Sequence, residues 1–137
     1  MKVLVIYSQY FAYQPSEKTV PEAETVETGN AFENCIVAFI QVEESDEEKD
    51  LLSREKKLVN HLKWSARKNS TDTIVLHSFA HLSDSKASLE FTKAIFDASE
   101  KRLRNGEYKV AQTPFGYFLD LDIKAPGFSL ARIWATL

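Results

Sequence analysis

Thr71-Asp72-Thr73-Ile74-Val75-Leu76-His77-Ser78-Phe79-Ala80-His81-Leu82-Ser83 holds the decisive change of pattern in this chain. Its first half is β-branched and alternating, which marks a strand. From Asp84 or Ser85 onward the apolar spacing becomes helical. His77–Ser83 is therefore the exit from a strand and the approach to a helix, with Ser83 or Ser85 as the candidate cap. Such an exit leaves backbone N–H and C=O groups without ladder partners. In α/β domains, ligands dock at the carboxyl ends of strands. His77, Ser78, His81 and Ser83 make this junction chemically rich. A polar loop carrying a surface histidine is the competing reading.

Outward from the junction, the pattern resolves into elements. Cys35-Ile36-Val37-Ala38-Phe39-Ile40, with Val42, is a continuous apolar run suited to a strand buried on both faces. Lys2–Ser8 reads as a first strand, continued after a bend by Tyr10–Tyr13. Gln14–Asn30, with Pro15, Pro21 and Gly29, reads as a long loop. Leu51, Leu52, Leu58, Val59, Leu62 and Ala66 form an amphipathic stripe over about Glu47–Lys68, opened by an acidic run and ended by Asn69. Trp64 lies off that stripe, where it could cover a neighbouring element. A second helix is expected over Lys86–Arg104, stopped by Asn105-Gly106. Glu107–Gln112 is a strand broken by Thr113-Pro114. Phe115–Lys124 alternates again, Pro126-Gly127 is a turn signal, and Phe128–Leu137 is a last strand. The expected order, β-loop-β-α-β-α-β-β-β, is a single α/β domain with a mixed sheet and two helices.

Composition narrows the function. The 137 residues carry a net charge of −3 with 44% hydrophobic residues, an ordinary globular balance for one domain. No apolar run approaches the length of a membrane span, and the N-terminus lacks the features of a signal peptide, so no membrane role is expected. Cys35 is the only cysteine, which points to a reducing cytoplasm. With His61, His77 and His81 it makes no metal-ligand spacing, so neither a metal nor another cofactor is expected. The global charge argues mildly against polynucleotide binding, but its distribution is uneven. Arg54, Lys56, Lys57, Lys63, Arg67 and Lys68 share one helix, and Lys101, Arg102 and Arg104 close the other. A solvated helix face is the plain account of each cluster.

Two stretches then speak together: Phe79-Ala80-His81-Leu82-Ser83 and Ala111-Gln112-Thr113-Pro114-Phe115-Gly116-Tyr117. Their pattern resembles the amino-terminal editing domain of archaeal threonyl-tRNA synthetases. Val3-Leu4-Val5-Ile6-Tyr7-Ser8 with Tyr10 and Tyr13 looks like that family's first strand. Val37-Ala38-Phe39-Ile40, followed by Val42-Glu43, looks like its second. The resemblance covers essentially the whole chain, 1–137, as one aminoacyl-tRNA editing domain. It implies a D-aminoacyl-tRNA deacylase-like fold, a homodimer, and hydrolysis of L-serine mis-attached to threonine tRNA. The partners it implies are the aminoacylated 3′ end of tRNA and a threonyl-tRNA synthetase catalytic chain, fused or separate.

The resemblance also implies a site. Val42, Phe79 and Ala80 would line a small pocket, with Ala80 and His81 at the reacting ester and Phe115, Gly116, Tyr117 and Phe118 around the substrate. Three positions depart from the family pattern. Leu119 stands where a lysine is usual, Arg132 where a glutamate is usual, and Ser78 where a proline is usual. Leu119 cannot donate a hydrogen bond, and Arg132 reverses a charge. Two readings follow. The chain is an editing deacylase whose chemistry rests on backbone N–H groups and the 2′-hydroxyl of the terminal adenosine, or a degenerate member that binds tRNA or a partner without catalysis. A deacylase for another mischarged amino acid is a weaker third. A Ser78/His81/Asp84 triad has no support.

Overall fold

The long first strand, β1 (Lys2–Lys18), organises the molecule, which a computed structural model describes over residues 1–137. It pairs antiparallel with β2 (Asn30–Gln41) along one side. On its other side it pairs with β5 (Tyr117–Lys124) over residues 10–18 and with β6 (Arg132–Thr136) over residues 2–6. β3 (Thr73–Ser78) lies parallel to β2, and β4 (Lys109–Gln112) lies parallel to β3. The order is β4-β3-β2-β1-β5, with β6 also on β1. The helices α1 (Leu51–Lys68) and α2 (Leu89–Asn105) provide the β2–β3 and β3–β4 crossovers.

Pairing on both sides explains why β1 runs to Lys18, through the expected break after Ser8 and into the expected loop Gln14–Asn30. Pro15 is tolerated because β2 has ended opposite Tyr13 and the β5 pairing is bulged between Pro15 and Glu17. The sheet cannot be flat. Gln112 pairs with Leu76, Leu76 with Ala38, and Ala38 with Val5, whereas Tyr117 pairs with Lys18, thirteen residues further along β1. Thirteen strand residues cover about 43 Å, yet the five steps from Gln112 to Tyr117 reach at most about 18 Å. β1 therefore curls, and its far end returns to the end of β4.

The core lies between this curled sheet and the helices. Val3, Val5, Ile36, Ala38 and Ile40 from the sheet meet Leu58, Leu62, Ile95, Phe96 and Leu103. Phe11, Cys35, Val37, Phe39 and Val75 fill the opposite face, so β2 is buried on both sides. Burial raises the Cys35 thiol to about 11, which keeps it unreactive.

Several local expectations are corrected. The acidic run does not open α1: Glu44–Glu48 is a separate 3₁₀ turn, and α1 begins at Leu51. Buried Asp46 instead takes the Glu43 N–H at 2.8 Å, the N-terminal ammonium at 3.1 Å and Arg54 at 3.3 Å. α2 begins at Leu89, capped by Ser88, whose Oγ accepts the Phe91 N–H at 3.1 Å. Neither Ser83 nor Ser85 caps it. At its other end Gly106 keeps φ −87°, and Glu107 takes the left-handed φ of 69°. Trp64 is 39% exposed and stacks on His61 of its own helix rather than on a neighbouring element.

Candidate functional site

The carboxyl ends of β2 and β3 lie side by side, and the chain leaving each builds one corner. The Phe79 N–H donates to the Ile40 carbonyl at 3.0 Å, one residue beyond the ladder. Ala80 and His81 then form a turn, exposed to solvent. Their N–H groups find no acceptor in the chain, whereas Phe79, Leu82 and Ser83 on either side are all hydrogen-bonded. Two adjacent backbone donors are thus left free where the strand ends.

The link from β4 to β5 brings in the second motif. The Thr113 N–H donates to the Leu76 carbonyl at 3.0 Å, and its hydroxyl meets His77 Nδ1 at 2.9 Å. Phe115 follows, with its ring 6.2 Å from that of Phe96 on α2. The result is a hollow of about 70 Å³ lined by Ile40, Val42, Ser78, Phe79, Ala80 and Phe115, with Lys86 and Leu89 on the approach to α2. A cavity of about 790 Å³ adjoins it through Leu89 and Phe115, between the 20–26 segment, α2 and residues 110–115.

Aromatic packing sets the angle of the junction. Phe39 meets His77 edge-on at 5.0 Å and Phe79 edge-on at 5.2 Å, and Phe79 meets His81 at 5.1 Å. His77 is buried, and burial lowers its imidazole to about 4, so it is neutral near pH 7. It points to the opposite side of β3 from Ser78 and cannot serve as that hydroxyl's base.

Four of the expected residues, Val42, Phe79, Ala80 and Phe115, converge on the hollow, and His81, next to Ala80 in the chain, lines a separate depression that shares Ala80 and Lys86 with it. The others do not. Gly116 has φ +81°, and a Cβ there would come within 2.8 Å of Ala23 and 3.0 Å of Val20. Its lack of a side chain admits the protein's own 20–23 segment rather than a substrate. The Tyr117 hydroxyl accepts the Val26 N–H at 3.1 Å and so anchors the same segment. Phe118 is 53% exposed. Leu119 lies opposite Pro15 and Arg132 opposite Ile6, well separated along β1. Arg132 donates to the Pro126 carbonyl at 2.7 Å.

Several residues that matter here were not singled out from the sequence. Gln41, only 3% exposed, accepts from the N–H groups of Leu82 and Ser83 at 2.7 and 2.8 Å. It also donates to the carbonyls of Ser83 and Ser85, both at 2.8 Å. Glu43 takes the Ser83 hydroxyl at 2.7 Å and the N-terminal ammonium at 2.8 Å. Burial alone would raise its carboxyl, but those two hydrogen bonds and the nearby charges of the ammonium and Lys2 hold it below its usual value. The signal was present: Gln41 is a polar side chain set directly after an apolar run.

Comparison with known proteins fits this geometry. Residues 1–137 match the family described as the archaea-specific editing domain of threonyl-tRNA synthetase. The threonine–tRNA ligase of Methanococcus maripaludis is 31% identical over 133 residues, covering 97% of this chain and 21% of that protein. Those of Methanococcus aeolicus and Thermofilum pendens are each 28% identical, covering 97% and 100% of the chain. The chain spans only 21–22% of the length of these relatives. Among solved structures, the c-Myc DNA Unwinding Element Binding Protein matches with a TM-score of 0.62 at 15% identity, covering 100% of this chain and 99% of that one. That likeness is one of fold, and it agrees with the single α/β domain with a mixed sheet and two helices expected from the sequence. On the match over its whole length, the chain belongs to the family of archaea-specific editing domains of threonyl-tRNA synthetase.

Proposed function

We propose that this domain hydrolyses the ester joining L-serine to threonine tRNA. The observation that carries the reading is the pair of unpartnered N–H groups on Ala80 and His81 beside a hollow of about 70 Å³. Such donors stabilise the oxyanion that forms when water attacks the ester carbonyl, and each contributes about 3–4 kcal/mol where measured. The 2′-hydroxyl of the terminal adenosine orients the water and shares its proton, since no carboxylate lines the hollow. The adjoining cavity of about 790 Å³ is roomy enough for the terminal nucleoside.

Size supplies the selectivity. The hollow has about the volume of two waters, and its walls are the backbone turn at Phe79–Ala80 and the packed side chains of Val42 and Phe115. Fitting one more methyl into a yielding pocket changes binding by only about 1–3 kcal/mol, but a clash with a braced wall discriminates more strongly. Serine fits on this account, and threonine does not. No metal or other cofactor is needed for the step.

The natural setting is the cytoplasm, with tRNA and a threonyl-tRNA synthetase catalytic chain as partners. The exposed Phe118, Leu121, Phe128, Leu130 and Trp134 cluster within the β5–β6 portion of the chain, and we take this surface to be covered in a homodimer. Light scattering at 15.6 kDa, independent of concentration, would contradict that.

The purified protein should deacylate Ser-tRNA for threonine faster than the matching Thr-tRNA. One observation favours a second reading: Leu119 and Arg132 lie away from the hollow, so no side chain of the usual lysine and glutamate positions enters it. Tight tRNA binding with no deacylation by folded protein would establish that non-catalytic role.

A further inference from the structure

The outward face of α1 carries a charge pattern that its folding does not require. From Lys56 to Thr71 there are five cations, Lys56, Lys57, Lys63, Arg67 and Lys68, and no Asp or Glu. The rest of the chain, with twelve of the seventeen Lys and Arg residues against all twenty Asp and Glu, is net −8. None of the five joins an ion pair. The paired cations are Lys2, Arg54, Lys93, Arg102 and Arg104.

Burial fixes which way α1 faces. Leu58, Val59, Leu62, Ser65 and Ala66 point into the core. At 3.6 residues per turn, Asn60 and Trp64 then run along the middle of the outer face. Lys56 and Arg67 form a rail on one side, and Lys57 and Lys68 a rail on the other. Each pair is three turns apart, about 16 Å. Trp64 is 39% exposed, and its ring stacks on His61 with centroids 6.1 Å apart. Lys63 turns toward the end of α2, with Nζ beside Gly106, and lies outside the rails.

A merely solvated face does not account for this arrangement. Arg67 and Lys68 complement the carboxyl end of the helix dipole, but Lys56 and Lys57 lie in its first half, where a cation gains nothing. α2 shows the ordinary solution in the same molecule: two of its three exposed cations pair with acids four residues away, Lys93 with Asp97 and Arg104 with Glu100, and only Lys101 is left unpaired. α1 leaves its cations free around an exposed indole, which is the combination that binds a polynucleotide backbone and stacks a base or sugar.

We propose that this face of α1 docks the phosphate backbone of the RNA whose aminoacylated 3′ end enters the hollow. The inference rests on the function proposed above. α1 starts three residues after the Glu44–Glu48 turn that follows β2, beside the hollow, and runs back along the sheet away from it. Duplex RNA presents roughly one charge per 1.7 Å of axis, on the B-DNA figure, so about ten phosphates pass a surface of this length.

The test is equilibrium binding of the intact protein to unacylated threonine tRNA across a salt titration. Lys57→Glu with Lys68→Glu should weaken binding at least tenfold and lower the log–log salt slope by about 2, at roughly 0.9 per cation. Lys56→Glu with Arg67→Glu should do the same. Trp64→Ala should weaken binding several-fold with the slope unchanged. Lys124→Glu, on β5, should have no effect. Hydrolysis of 3′-O-seryl adenosine, which has no stem, should match wild type in every variant. Wild-type affinity and slope in both charge-reversed pairs would overturn the proposal and leave the face to an acidic protein surface. Failure of the wild type to hydrolyse seryl adenosine would instead count against the deacylase reading, with the binding titration still deciding the role of α1.

Discussion

The side chain of Gln41 and the peptide group of Ser83 form a reciprocal pair: the Ser83 N–H donates to Gln41 Oε1 at 2.8 Å, and Gln41 Nε2 donates back to the Ser83 carbonyl at 2.8 Å. With the Leu82 N–H and the Ser85 carbonyl, one buried carboxamide holds the loop after the free donors of Ala80 and His81. Gln41→Leu should cost about 2–3 kcal/mol of stability, at roughly 1 kcal/mol net per hydrogen bond with partial rescue by water. Deacylation should fall further than the folded fraction does. Gln41→Glu keeps the oxygen that accepts from Leu82 and Ser83 but turns a carboxylate oxygen toward the Ser83 and Ser85 carbonyls, and it should be at least as destabilising as Gln41→Leu in urea unfolding at neutral pH. Equal activity in wild type and Gln41→Leu would show that the loop is held by other means.

The buried, neutral His77 makes stability sensitive to acid. Its folded value of about 4 lies below the ordinary ~6.5. Between those values the unfolded chain binds a proton that the folded chain does not, so stability falls as pH drops through that window, by up to about 3 kcal/mol. His61 is also lowered by burial and acts in the same direction. Glu43, held below its usual value, contributes stability that is lost only at lower pH. Urea midpoints measured across the window should decline for wild type and decline less for His77→Asn, the remaining slope coming from His61.

Gly116 is placed where a side chain cannot go. Gly116→Ala combines a φ of +81° with a contact of 2.8 Å to Ala23, so it should cost about 1–3 kcal/mol. Thermal unfolding would register this as a lower midpoint. An unchanged midpoint would mean that the 20–23 segment gives way freely.

At the hollow itself, Ala80→Val should block the serine site and reduce kcat/KM more than tenfold while leaving the midpoint unchanged, since Ala80 is exposed. His81→Ala should reduce the rate about tenfold, equal to about 1.4 kcal/mol. Lys86, the one cation lining the hollow, should act on binding. Lys86→Ala is expected to raise KM with kcat nearly constant.

Most of the architecture was legible because the signals were periodic. The alternation of Thr71–Leu76, the apolar run Cys35–Ile40 and the stripe from Leu51 to Ala66 each map onto the element they announce. The errors fell where tertiary partners override local pattern. β1 passes through Pro15 because β5 pairs with it. The acidic run 44–48 is held by the N-terminal ammonium and Arg54 rather than opening a helix. In the candidate site, the motif residues Phe79, Ala80 and Phe115 could be read from the chain. Gln41 carried a signal, a polar side chain directly after an apolar run, but its role and that of Lys86 could not be read, because what they do depends on a loop contact more than forty residues away or on the turn into α2.

The most direct test of the account uses two seryl-tRNA substrates, identical except that one ends in adenosine and the other in 2′-deoxyadenosine, each with serine on the 3′-oxygen. With backbone donors at Ala80 and His81 and no carboxylate lining the hollow, deacylation of the first should be readily measurable, and that of the second should fall nearly to the uncatalysed rate. Equal rates on the two substrates would contradict it.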